Sequence, residues 1–206
     1  MIPEKVYYKS SNAENYIEIV NELYLKIQDT TSIEKHSAPF VLFTGTCLEY
    51  LLNDLLIEHS LRFFHNKNQR KYTESFISMN FNAKLTCILP IISNHRFSIN
   101  IDSAEYKNLC DMITQRNRIA HGKDFYLGAD TVDIKEDSSF SIKIDLERIN
   151  NNPLKISLKQ CQDYKKAIDT FYNEIFKPYE NDSFSKSPFV IEIVKKLNKK
   201  EKINLK

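Results

Sequence analysis

Gln115-Arg116-Asn117-Arg118-Ile119-Ala120-His121-Gly122 is the one segment of the chain where strong cations, a polar amide and a histidine converge. Guanidinium groups pair with phosphate oxygens, and an imidazole exchanges protons near neutral pH, so such a set suits a phosphodiester. On a helix Asn117 and His121, four residues apart, share a face, which lets the amide orient the imidazole. Arg116 lies about 100° round from Asn117, so Arg116 and His121 need not point the same way within one chain. Two such helix ends meeting across a dimer axis would gather two Arg-Asn-His sets round one cleft. Near a helix C-terminus the negative dipole end favours imidazolium at position 121, while Arg116 and Arg118 oppose it.

The elements that must position these residues are mostly helical. A first helix runs from Asn12 as N-cap to about Asp29, with Tyr16, Ile19, Val20, Leu23, Tyr24 and Ile27 at helical spacing. The second and longest starts at about Ser37 or Pro39 and reaches Phe64; it is apolar round most of its circumference, as a central helix is. Its small run Thr44-Gly45-Thr46 would let another backbone approach, and Asn66 to Arg70 is a polar break. A third helix spans roughly Phe81 to Ile92, with Pro90 bending it or lying near its end. A fourth, Ser103 to His121, has Ser103 as N-cap, Gly122 as the C′ residue, and Tyr106, Leu109, Cys110, Ile113 and Ala120 as its buried stripe. Thr131–Lys135 and Phe140–Asp145 alternate apolar and polar residues and read as a β-hairpin. The last long helix, Ser157 to about Lys177, buries Tyr164, Ile168, Phe171, Tyr172 and Ile175 and is stopped by Pro178; Pro188 to Lys200 is at best a weak amphipathic helix. The expectation is an all-α bundle of four to five main helices with a small hairpin inserted before the last: one domain over residues 1–182, hairpin at about 131–145, and a lysine-rich tail over 183–206.

Composition narrows the chemistry. A chain of 206 residues with 42% hydrophobic and 27% charged residues is that of an ordinary globular protein. Three glycines, Gly45, Gly122 and Gly128, leave no material for a phosphate-cradling glycine loop. The four cysteines, Cys47, Cys87, Cys110 and Cys161, show no metal-ligand or redox-pair spacing, so no metal and no cofactor is expected. The net charge is +2, with the positive excess in the tail. The longest apolar stretches are interrupted before the roughly 18 residues of a membrane span, and MIPEKVYYKSS has no signal-peptide core. A reduced, cytoplasmic protein is the expectation.

Arg116-Asn117-Arg118-Ile119-Ala120-His121 resembles the signature of the HEPN superfamily (higher eukaryotes and prokaryotes nucleotide-binding): an arginine, a polar residue, and a histidine four to six residues beyond it. The setting is similar too: a helical bundle over about residues 12–177, an apolar central helix, and the motif at the end of a later helix before a glycine. The resemblance implies a metal-independent endoribonuclease acting as a homodimer on RNA, in a toxin–antitoxin, abortive-infection or other antiviral system, with an antitoxin or other defence-system protein as possible partner. It implies His121 as general base or acid in attack by the RNA's own 2′-hydroxyl, Arg116 on the scissile phosphate, and Asn117 orienting His121 or touching the phosphate. The same resemblance admits a non-catalytic module that binds RNA or a partner; a third reading is a helical scaffold subunit of a defence complex.

Accessory candidates lie elsewhere. Arg118 adds a second cation beside the motif. Glu49 and Asn53 share a face of the second helix and would line the cleft and hold Arg116 by a charge-assisted hydrogen bond, or simply mark its solvent stripe. His59 beside Glu58 has no metal-site pattern around it and reads as packing. Tyr72, Phe76, Phe81 and Phe97 with Lys71, Lys84 and Arg96 have the composition of an RNA surface, but burial of the aromatics is the better account of them.

Overall fold

The computed structural model describes residues 11–28, 32–64, 69–121, 129–134, 140–144 and 154–193. The order is α1 (Ala13–Ile27), α2 (Ile33–Phe63), α3 (Gln69–Ser78), α4 (Phe81–Ile92), β1 (Phe97–Ile99), α5 (Ala104–Ala120), β2 (Ala129–Ile134), β3 (Phe140–Ile144), α6 (Leu158–Phe171), a π-helical turn (Tyr172–Phe176), α7 (Lys177–Glu180) and β4 (Val190–Glu192). This is the expected all-α bundle with an inserted hairpin. Contacts divide the chain into two compact units: Met1–Ser11 with Glu49–Lys107 and Asp169–Lys206, and Asn12–Leu48 with Asn108–Ile168.

In the second of these units α1 buries Ala13, Ile17, Val20 and Ile27. That register differs from the expected one: Ile17 is inside and Ile19 is 40% exposed. Tyr16 stacks on Phe43 and Tyr24 packs on Phe40, with ring centroids 5.5 and 5.8 Å apart. The buried Tyr164 hydroxyl of α6 donates to the Asp111 carboxylate of α5. Burial and that carboxylate both oppose its ionisation and push its pKa up. β2 and β3 pair antiparallel from Ala129↔Ile144 to Ile134↔Phe140, with a register shift between Ala129 and Thr131; residues 135–139 and Asp145 lie outside the described residues.

The first unit holds α3, α4 and a two-stranded sheet. α4 starts as the sequence indicates, its Asn80 side chain accepting from the Ala83 N–H at 2.9 Å. Its end is tied by the His95 N–H to the Pro90 carbonyl at 2.8 Å, with Asn94 and His95 at positive φ. β1 pairs with β4 antiparallel, Phe97↔Glu192, Ser98↔Ile191 and Ile99↔Val190. Residues 190–192 are therefore a strand and not part of a weak helix: Phe189 and Val190 are 1% and 0% exposed and anchor them in the core.

Three other expectations are corrected. α2 begins a turn earlier than Ser37, at Ile33, so Pro39 is its seventh residue and lies inside the helix, with no N–H to offer the Lys35 carbonyl. The expected break after Phe64 gives way by Gln69 to α3, a helix with no buried residue that leans on Phe64 through Tyr72 and Phe76, at 4.5 and 6.2 Å. Pro178 does not stop the last helix. The backbone widens into the π turn just before it, where the proline ring would crowd the Glu174 carbonyl, and the helix ends at Glu180. Asp182 then takes φ 51°, and the Ser183 N–H bonds to the Pro178 carbonyl at 3.0 Å, a Schellman-type end.

Length and composition alone would let α2 cross a membrane, since an 18-residue window has a mean hydropathy of 1.4. Of that window 61% is buried inside the protein, and Phe40, Val41, Leu48, Leu51, Leu52 and Leu56 are all 0% exposed. An all-round apolar helix is what a central helix packed on several sides requires.

Candidate functional site

α5 carries the motif. It is started by Ser103, whose Oγ accepts from the Tyr106 N–H at 3.2 Å. Leu109, Met112 and Ile113 are buried along one side. Arg116 continues that side, seven residues after Leu109 and three after Ile113. Its aliphatic stem is therefore drawn inward. The expected stripe differs in detail: Met112 and Gln115 are inside, whereas Ala120 is exposed.

The stem of Arg116 rests on α2 at Gly45. A β-carbon on residue 45 would sit 3.0 Å from Arg116 Cγ, 3.1 Å from its Cβ and 3.5 Å from Ile113 Cδ1. The small residue was expected to admit a backbone; what it admits is this side chain. The Thr44 hydroxyl beside it is buried without a hydrogen-bond partner among the described residues.

At its far end Arg116 Nη1 donates to Asn117 Oδ1 at 2.7 Å. The amide thus holds the guanidinium. Among the described residues no hydrogen bond joins that amide to the imidazole; His121 is tied to Asn117 only through the backbone, its N–H on the Asn117 carbonyl at 3.0 Å. His121 is exposed and Arg116 half-buried. Arg118, also exposed, donates from Nη1 to Oε1 of the buried Gln115 at 3.3 Å. Gly122 lies outside the described residues. The arrangement offers an anchored cation and a solvent-facing imidazole at one helix end, a pair suited to holding a phosphate and moving a proton.

Glu49 and Asn53 belong to the other unit. There Asn53 Oδ1 accepts from Lys84 Nζ at 2.8 Å. Burial lowers the Lys84 pKa and the nearby Glu49 charge works against that. Neighbouring Asp54 is buried and accepts from Ser11 Oγ at 3.0 Å. His59 is a packing residue: it is 8% exposed, its Nδ1 is 3.4 Å from the Tyr179 hydroxyl and its ring 4.6 Å from Phe63. Burial, then the Arg62 charge, lowers its pKa. All four cysteines are free, and burial pushes the Cys161 thiol up to about 11. Among the described residues no three His, Cys, Asp or Glu side chains gather closely enough to hold a metal ion. The residue that sequence reasoning did not link to the site is Gly45; a lone glycine inside an apolar helix is the signal that marks it.

Comparison with known proteins gives a family. The model of the family described as RiboL-PSP-HEPN matches residues 2–144, well over half of the chain and including Gly45 and the whole of α5. No curated protein and no solved structure matches it. The chain is a member of the RiboL-PSP-HEPN family, and through it of the HEPN superfamily of nucleotide-binding and ribonuclease-like modules.

Proposed function

We propose that the protein is a metal-independent endoribonuclease of a toxin or antiviral-defence system, working in the cytoplasm as a homodimer whose two α5 ends form one composite site. The observation that carries this is Arg116, braced by Gly45 at its stem and by Asn117 at its head, five residues before an exposed His121 at the same helix end. Cleavage proceeds by attack of the RNA's own 2′-hydroxyl on the adjacent phosphorus. His121 takes the 2′ proton or protonates the 5′-oxygen as it leaves. Arg116 binds the scissile phosphate and stabilises charge on the developing phosphorane. Asn117 acts through Arg116, which it holds, more directly than through His121. The products are a 2′,3′-cyclic phosphate and a 5′-hydroxyl.

One observation favours the non-catalytic alternative, a module that binds RNA or a partner: within one chain the Asn117 amide faces the guanidinium and not the imidazole. Incubation of purified protein with cellular RNA in EDTA, followed by analysis of the fragment ends, separates the two. Fragments with cyclic phosphate and 5′-hydroxyl ends are expected. Intact RNA bound by the protein would favour the binding module.

A further inference from the structure

A second cation cluster lies in the unit that does not carry the motif. Arg62 at the end of α2 and Arg96 just before β1 line one cavity of about 170 Å³, together with Phe63, Ser93, Asn94 and Asp182. Two like charges facing one small space repel, and a carboxylate beside each, Glu58 on Arg62 and Asp182 on Arg96, offsets this. Each is fixed there. Arg62 Nε donates to Glu58 at 2.8 Å, and its guanidinium lies 4.7 Å from the Tyr179 ring centroid. Arg96 Nε donates to the Ser93 carbonyl at 3.0 Å, its Nη2 to Asp182, and it lies 5.8 Å from the Phe97 ring centroid. Arg62 is anchored through Nε alone and Arg96 through Nε and Nη2, so among the described residues the two Nη groups of Arg62 and Nη1 of Arg96 have no protein acceptor. Two pre-positioned forks with unused donors are a receptor for a tetrahedral oxyanion.

The cavity is open to solvent and has room for a phosphate group. At its rim Phe63 is 58% exposed and is held by the His59 ring. An exposed ring beside a phosphate receptor is the pairing that recognises a nucleotide of a single strand, with the base on the ring and the phosphate on the cations. We infer that Arg62, Arg96 and Phe63 form a nucleotide-binding exosite, taking one phosphate and its flanking base from single-stranded RNA. The choice of RNA rests on the function proposed above; the affinity for a nucleotide rests on the pocket alone.

The test uses full-length His121→Ala protein and 2′-O-methyl RNA, which has no 2′-hydroxyl to attack and stays whole whichever residues cleave, so that loss of the catalytic account leaves this measurement intact. Affinity for a fluorescein-labelled short single-stranded RNA is measured across a salt series, with uridine 5′-monophosphate as competitor. Adding Arg62→Gln with Arg96→Gln is expected to weaken binding about tenfold or more and to lower the salt slope by about one. Adding Phe63→Ala, at an exposed position that spares the fold, is expected to weaken it about fivefold or more. Competition by the mononucleotide that disappears in the double arginine variant supports a free nucleotide as an equal source. Its absence, with both losses present, supports a strand residue. Unchanged affinity and salt slope in both sets of variants, or failure of the parent protein to bind either probe, overturns the inference.

Discussion

Residue 45 and residue 116 share one volume: the stem of Arg116 occupies the space that a β-carbon on Gly45 would need, with only 3.0 Å to Arg116 Cγ. In an exposed helix interior alanine in place of glycine gains about 1 kcal/mol. Here the helical gain meets a contact that requires Arg116 to move by a few tenths of an ångström. Gly45→Ala should therefore leave thermal stability near that of the wild type while lowering RNA cleavage about tenfold, and Gly45→Val should lower it further. Melting curves and cleavage rates taken together check this. A fully active Gly45→Val protein would show that the seat of Arg116 on α2 does not matter.

In the proposed mechanism Asn117 positions Arg116. Asn117→Ala removes the 2.7 Å hydrogen bond and is expected to reduce cleavage about ten- to hundredfold. Asn117→Asp keeps the acceptor but sets a carboxylate on the guanidinium, which then competes with the substrate phosphate. It should raise KM for RNA more than it lowers kcat. Equal effects of the two substitutions on KM would argue against a role through Arg116.

The helix that carries Arg116 and Asn117 was legible from sequence because Ser103 as N-cap and the buried Leu109 and Ile113 mark α5. α4 was legible through its apolar spacing. What was not legible depends on partners far off in sequence. β1 and β4 are three residues each and pair across some ninety positions, and α3 is short, follows a polar stretch and has no fully buried residue. Pro178 points to a stop that the π turn avoids. The seat of Arg116 at Gly45 needed the packing of two helices.

His59 gives the first unit a pH dependence. Burial holds its folded pKa below the ordinary 6.5. The unfolded chain thus binds the proton more readily, and the contribution of neutral His59 is complete above about pH 6.5 and is lost as pH falls through the folded value. His59→Gln keeps a polar partner for Tyr179 and does not titrate. Between pH 7 and 5 the wild type should lose more stability than His59→Gln, as urea unfolding at each pH would reveal. Parallel losses would remove His59 as the cause.

The Tyr164–Asp111 hydrogen bond ties α6 to α5 within the second unit. Tyr164→Phe keeps the buried ring and loses the bond, which should cost about 1–2 kcal/mol in urea unfolding, since Asp111 retains access to water. Cleavage at a temperature where the variant is folded should stay within about twofold of wild type. A large loss of activity there would mean that this bond also sets the motif.

Truncation after Asp182 removes Phe184, Phe189 and Val190, all buried, together with the partner strand of β1. Burial of a phenylalanine is worth about 2–3 kcal/mol, so the shortened chain should melt far lower or fail to fold. A shortened chain with a native melting curve would mark residues 183–193 as an appendage.

The most direct test of the catalytic account is cleavage of RNA in EDTA by wild type, His121→Ala and Arg116→Ala, each shown by circular dichroism to be folded. Loss of the proton-transferring imidazole should slow cleavage about 10²–10⁴-fold, and loss of the phosphate-binding guanidinium about 10²–10³-fold. Cleavage by both variants at the wild-type rate would contradict the assignment of Arg116 and His121 as the residues that cut RNA.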